Sequence, residues 1–132
     1  MTKILVATNN PTKYKSIMRG LGTIKDIQWL SLSDLPNIPD YNEVGNSYKE
    51  IALAKAKYYS EKTGHITIAD DSGIFVSAFP SKFGIKSRRE FGEAGMNDME
   101  WLRLFIDLME HQDDQTAKIQ TTLCLYNPKN NR

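Results

Sequence analysis

The sequence is short of several things. It has one cysteine, Cys124, in 132 residues. That excludes an internal disulfide framework and any zinc site built on several cysteines. It has two histidines, His65 and His111, too scattered for a histidine-based metal site. It has no excess of either charge: 17 Lys and Arg stand against 16 Asp and Glu, a net charge of +1. A strongly basic nucleic-acid binder is excluded, and the charge of the whole molecule steers it neither to membranes nor to polyanions. No apolar run approaches the ~20 residues of a membrane span. The N-terminus enters a strand-like run at once, without the apolar core of a signal peptide. Repeats, low-complexity segments and linkers are missing as well. What remains, with 40% hydrophobic and 25% charged residues, is globular. The expectation is one soluble, cytoplasmic α/β domain over residues 1–132.

The pattern along the chain is mixed. Lys3 to Thr8 reads as a buried strand, stopped by Asn9, Asn10 and Pro11. A helix follows, with Asn10 as N-cap, Pro11 at its first position, and Tyr14, Ile17, Met18 and Leu21 on one face. Gly20 and Gly22 end it. Ile27 to Leu32 is a weaker strand. Ser47 to Lys62 is the clearest helix, opened by Ser47 with Glu50 and closed by Gly64. Ile66 to Ala69 and Ile74 to Val76 read as two strands separated by a turn at Asp70-Asp71-Ser72-Gly73. Asn97 to Met109 is a helix. Thr116 to Tyr126 alternates as a strand, with Ala117, Ile119, Thr121, Leu123 and Leu125 on one face. The last residues, Asn127 to Arg132, look like a hairpin turn with no strand after it, which points to a truncated form of something longer; a polar tail on an edge strand is the alternative.

Four features could carry chemistry. The first is the strand–loop–helix segment Thr8-Asn9-Asn10-Pro11-Thr12-Lys13. A helix start offers free N–H groups and a positive dipole end to an anion. Lys13 is a cation where the dipole disfavours one, which a bound phosphate would explain; an ordinary capped helix with a solvated lysine is the plainer reading. The second is Lys55, which falls among Tyr48, Ile51, Ala52 and Tyr59 on the helical wheel. It either snorkels or points into a cleft at an acid or a phosphate. The third is a set of carboxylates, Glu43 and Asp70-Asp71. Two carboxylates from separate loops suit Mg²⁺, and neighbouring residues of an extended chain face opposite sides, so one aspartate faces a given cleft. The fourth is the basic loop from Phe83 to Arg89, with Ser87, Arg88 and Arg89 able to contact phosphate. Together they suit metal-assisted chemistry on a polyphosphate. Cys124 reads as a packing residue, and Trp101 as core.

These residues carry a resemblance. Thr8-Asn9-Asn10-Pro11-Thr12-Lys13, Glu43-Val44-Gly45 running into Tyr48-Lys49-Glu50 and Ala52-Leu53-Ala54-Lys55-Ala56, and Ala69-Asp70-Asp71-Ser72-Gly73 resemble the motifs of the inosine-triphosphate pyrophosphatase family. Gly84-Ile85 with Ser87 and Arg89 looks like its arginine loop. The resemblance covers roughly residues 3 to 126. It implies a mixed, twisted sheet flanked by helices and a homodimer. It also implies Mg²⁺-dependent hydrolysis of inosine or xanthosine triphosphate, or their deoxy forms, to the monophosphate and pyrophosphate, which cleanses the nucleotide pool. By position, Thr8, Asn9, Asn10, Pro11, Thr12 and Lys13 would bind the triphosphate. Glu43 and Asp71 would hold Mg²⁺, with Asp71 also the general base. Lys55 and Ser72 would contact phosphate or support the metal, and Arg89 would contact substrate.

The chain departs from the family at Ile51, where asparagine is usual, at Phe83 in place of proline, and at Lys86 in place of an aromatic residue. The family's later base-reading segments have no counterpart before Arg132. Two other readings stay open: a non-catalytic short form or fragment that binds polyphosphate or needs a partner chain, and a pyrophosphatase of pyrimidine or modified nucleotides like the similarly folded septum-inhibitor family.

Overall fold

The computed structural model describes residues 1–35, 37–42, 45–80 and 97–132. Within them the chain runs β1 (Thr2–Val6), α1 (Pro11–Leu21), β2 (Ile27–Ser31), a 3-10 turn (Leu32–Asp34), α2 (Tyr48–Thr63), β3 (Ile66–Val76), α3 (Asp98–Glu110) and β4 (Ala117–Tyr126). The α/β expectation holds: the described strands form one sheet in the order β2-β1-β3-β4. β1 pairs in parallel with β2, Thr2 opposite Ile27 through Val6 opposite Ser31, and in parallel with β3, Ile4 opposite Ile66 through Val6 opposite Ile68. Contacts group the chain into two compact units, residues 1–71 with 122–132 and residues 72–121. None of the described helices is long and apolar enough to cross a membrane.

The first unit is built around β1. The alternation of the strand sends Leu5 and Ala7 to one face, where Ala69 of β3, Ala56 and Tyr59 of α2 and Tyr126 close a buried cluster. Small residues at Ala7, Ala56 and Ala69 let the helix lie close on the sheet. The local signals that start and stop α2 are as read from sequence. Ser47 Oγ accepts the Glu50 N–H at 3.0 Å, and Gly64 takes the left-handed conformation at φ 76° that an L side chain resists. The Glu50 carboxylate reaches one residue further back than a reciprocal cap would, to the Asn46 N–H at 3.1 Å.

The second unit has its own cluster, Val76 and Met109 with Ile74, Phe79, Trp101, Phe105 and Leu108 around them. The rings of Trp101 and Phe105 stack at 5.4 Å, so Trp101 is a packing residue as expected. Asn97 caps α3 by accepting the Glu100 N–H at 2.8 Å.

One local reading is corrected, and the structure adds to another. Asp70-Asp71-Ser72-Gly73 is not a turn between two strands, because β3 is continuous from Ile66 to Val76. The polar composition mimics a turn, but Asp70 and Asp71 are both buried, and extended backbone carries them. The apolar alternation of β4 is also real, yet its apolar side is the open one. Ile119, Leu123 and Leu125 are exposed, while Tyr126 and Cys124 pack with the Leu5 cluster. Residues 127–132 do form a turn, in which Asn127 and Arg132 exchange backbone hydrogen bonds.

Candidate active site

The topology marks one end of the sheet. β2 lies on one side of β1 and β3 on the other, so the connections leaving β1 and β2 run in opposite directions across the sheet. In parallel sheets such a reversal opens a crevice at the carboxyl ends of the strands. Pairing of β3 with β1 stops at Ile68 and Val6, followed by the bond from the Ala7 N–H to the Ile68 carbonyl at 2.8 Å. Asp70 and Asp71 therefore stand just beyond the carboxyl end of β1, beside the loop from Thr8 to Lys13.

That loop is held from within. The Asn10 N–H donates to Thr8 Oγ1 at 3.1 Å, and Asn10 Oδ1 accepts the Thr12 N–H at 2.9 Å and the Lys13 N–H at 3.4 Å. Asn10 is the N-cap and Pro11 follows at the helix start, as the sequence indicates. The structure adds a constraint on the anion-loop reading. The first N–H groups of α1 are taken up by Asn10, and Pro11 has none to give. A phosphate here would be held by the helix dipole and side chains more than by free backbone donors. Asn9 Nδ2 donates to Asp40 Oδ1 at 2.9 Å, which ties the loop to the segment before α2.

Lys13 is explained by a partner rather than by solvent. Its ammonium lies 3.1 Å from Asp70 Oδ2, with Asp70 almost wholly buried and Lys13 about one-third exposed. No acid stands in the first turn of α1 itself, so the offsetting charge comes from β3. The other oxygen, Asp70 Oδ1, is buried with no hydrogen-bond partner among the described residues. The sequence reading names Asp70 in its carboxylate set but gives the site role to Asp71 alone. The signal was present in Lys13, a cation at the positive end of a helix, which calls for an acid nearby.

Asp71 faces the opposite way along the strand, as alternation requires. It belongs to the same face as Leu5, Ala7 and Ala69, the face that α2 covers. Its charge reaches Tyr48 at the start of α2. Burial pushes the Tyr48 hydroxyl up from its ordinary pKa, and the carboxylate of Asp71 pushes it further the same way. Lys55 is half-buried on α2, one turn beyond the buried Ile51 and Ala52. Ser72 follows Asp71 on β3 but falls in the second unit. Glu43 and Arg89 lie outside the described residues, as does the basic loop from Phe83. Among the described residues no group of three or more His, Cys, Asp or Glu side chains gathers as a metal site. Cys124 is half-buried; burial raises its thiol pKa, while Lys49 acts in the other direction.

On the described residues, then, the structure brings Lys13 of the Thr8–Lys13 loop onto Asp70, while Asp71 faces the side that α2 covers. The likeness to known proteins bears on the same segments. Over 133 residues the chain is 34% identical to a dITP/XTP pyrophosphatase of Geobacter sulfurreducens, covering 100% of this chain and 66% of that one. It is 34% identical over 130 residues to a dITP/XTP pyrophosphatase of Oceanobacillus iheyensis, covering 97% and 66%. Among solved structures, a HAM1 protein from Coxiella burnetii superposes with a TM-score of 0.79 at 26% identity, over 99% of this chain and 66% of that one. A nucleoside-triphosphatase, dITP/XTP pyrophosphatase, from Mycobacterium abscessus superposes with a TM-score of 0.69 at 30% identity, over 97% and 67%. The chain thus spans about two thirds of the length of these relatives. The model of the Ham1 family matches residues 4–132, nearly the whole sequence, and the chain belongs to that family.

Proposed function

We propose that this chain hydrolyses inosine, deoxyinosine or xanthosine triphosphate to the monophosphate and pyrophosphate. The observation that carries the reading is the pair of buried aspartates beyond the carboxyl end of β1, one of them ion-paired to the lysine of the adjoining loop. The names printed for relatives, dITP/XTP pyrophosphatases, support the substrate class.

The residues divide the work by face. Lys13 and the dipole of α1 attract the triphosphate to the loop from Thr8 to Thr12. Lys13 exchanges its Asp70 partner for a phosphate oxygen, or shares itself between them. Lys55 adds a second positive charge from α2. Asp71 accepts a proton from a water molecule. The oxygen of that water forms the new bond to phosphorus, the α–β anhydride bond breaks, and its electron pair leaves on pyrophosphate. Tyr48 beside Asp71 keeps bulk water away from it. Ser72 and Arg89 support the substrate.

A divalent cation fits this donor set. Among the described residues Asp70 Oδ1 is a buried acceptor without a donor, and a hard cation or its water satisfies such an oxygen. Asp71 with Glu43 would hold Mg²⁺, and the ion would neutralise phosphate charge as the anhydride breaks. A homodimer in the cytoplasm is the setting we assign to the enzyme. A second reading is a polyphosphate binder without turnover: Lys13, paired with the buried Asp70 beside the loop, serves anion binding whether or not hydrolysis follows.

The test is pyrophosphate release by residues 1–132 from inosine triphosphate against adenosine triphosphate, with and without Mg²⁺. Selective Mg²⁺-dependent turnover, lost in Asp71→Asn, is expected. Folded, Mg²⁺-loaded protein without turnover that still binds triphosphate selects the second reading.

A further inference from the structure

The segment before α2 is fastened at three consecutive residues, each by a side chain from elsewhere. The Pro39 carbonyl accepts the Tyr58 hydroxyl at 2.8 Å. Asp40 Oδ1 accepts the Asn9 side-chain N–H at 2.9 Å. The Tyr41 N–H donates to the Tyr59 hydroxyl at 3.1 Å. Two of these fasteners are neighbours on α2, and the third belongs to the loop after β1. Asn37 turns the chain into the segment in the left-handed region, at φ 71°, and Ile38 and Tyr41 then pack against the Leu5 cluster. The Tyr41 and Tyr58 rings lie 5.4 Å apart, and Tyr58 meets Tyr59 edge-on at 5.0 Å. Every residue of the arrangement belongs to the first unit.

The middle fastener differs from the other two. Asn9 and Asp40 are both exposed, and a polar contact between two free exposed side chains is worth little, because ordering them offsets most of the gain. Here other residues do the ordering. With Pro39 and Tyr41 tied to α2, the Asp40 backbone has little freedom left, and its carboxylate meets Asn9 at small entropic cost. On the loop side, Thr8 bonds Asn10 and Asn10 caps α1, while the Asn9 side chain between them is held by Asp40 alone among the described residues. Charge works the other way. An acid touching a loop that receives a triphosphate repels the ligand on Coulomb grounds. Its place there is explained if the loop uses its acceptor oxygen and tolerates its charge.

We propose that Asp40 is a positioning residue: held through Pro39 and Tyr41 by Tyr58 and Tyr59, it fixes Asn9 and with it the shape of the Thr8–Lys13 loop that receives the triphosphate. The proposal rests on the reading that this loop binds the triphosphate. Asp40 touches no ligand in this scheme. It acts through Asn9, and the two tyrosines act through Asp40. The charge and the acceptor of Asp40 then have opposite effects on affinity, and substitutions separate them. Asparagine keeps an acceptor oxygen and removes the charge, whereas alanine removes both.

The experiment is calorimetric titration of residues 1–132, with Mg²⁺, against inorganic tripolyphosphate, with the urea midpoint of each variant measured alongside. Asp40→Asn is expected to bind at least as tightly as wild type. Asp40→Ala is expected to bind about fivefold more weakly, the worth of one modest hydrogen bond, at an unchanged urea midpoint. Tyr58→Phe removes only the hydroxyl that holds Pro39, and it serves should Asp40→Ala fail to fold. It should weaken binding in wild type and add nothing in the Asp40→Ala background, since both act on one link. Asparagine and alanine variants that change binding equally, in either direction, overturn the proposal. So does a Tyr58→Phe variant that binds as wild type does, or whose loss adds in full to that of Asp40→Ala. In each of these cases wild type still binds tripolyphosphate, and the triphosphate loop stands. Wild type that does not bind tripolyphosphate overturns the loop reading and the proposal together.

Discussion

The ion pair between Lys13 and Asp70 predicts an asymmetry that a simple contact does not. At 3.1 Å and an effective dielectric of about 20, the gross attraction is about 5 kcal/mol. Water at the one-third-exposed Lys13 and the desolvation of Asp70 offset most of this, which leaves about 1–2 kcal/mol net. The two partners are not equivalent when removed. Lys13→Met strands a buried carboxylate next to a second one, Asp71, and should cost that full 1–2 kcal/mol. Asp70→Asn frees a lysine that can turn to solvent, and it relieves a like charge beside Asp71. It should cost less than about 0.5 kcal/mol or stabilise. The double variant should resemble Asp70→Asn alone rather than the sum of the two. Urea unfolding measures this, followed by the fluorescence of Trp29 in a Trp101→Phe background so that the first unit is observed alone. Lys13→Met should move the midpoint down by about 0.5–1 M, given typical slopes for a small domain. Equal losses for the two single variants, or strict additivity in the double, would refute the reasoning.

Other perturbations follow from the same structure. Asn10→Ala frees the Thr12 and Lys13 N–H groups and should cost about 1 kcal/mol by loss of the cap, read in the same urea assay. Gly64→Ala meets no atom within 4 Å, so its expected cost of about 1 kcal/mol comes from the positive φ alone; a neutral result would show that the helix end relaxes. The Thr116 N–H bonded to Asp114 lowers that carboxyl pKa below the ordinary 3.8. The folded state therefore favours the charged form, its contribution is complete above that value, and it is lost as the pH falls through the depressed pKa. The stability gap between wild type and Asp114→Asn should be present at neutral pH and close in acid.

The elements legible in the sequence were those whose signals are local. Ser47 and Gly64 bracket α2 because a cap and a left-handed stop act within one turn of the chain. Asn10 and Pro11 open α1 for the same reason. β3 was misread because Asp70-Asp71-Ser72-Gly73 has the composition of a turn, and only neighbours distant in sequence keep it extended. Lys13 and Asp70 are far apart along the chain, so their pairing is a property of parallel strands and not of any motif. The open face of β4 was equally hidden. Alternation at Ile119, Leu123 and Leu125 reports a strand without saying which side is covered.

The central position of β1 also governs the order of events during synthesis. β1 leaves the ribosome before both of the strands that pair with it, β2 and β3. Val6 meets Ser31 early, once α1 and β2 have emerged, but its other edge waits until Ile68 has cleared the exit tunnel. Through that interval Leu5 and Ala7 have neither Ala56 nor Ala69 to cover them. A nascent chain stalled before β3 exposes Leu5 and Val6, which the mature protein buries completely. That makes it a substrate for chaperones that hold short apolar stretches, and a rare pause in translation near residue 60 would harm yield more than one near residue 100.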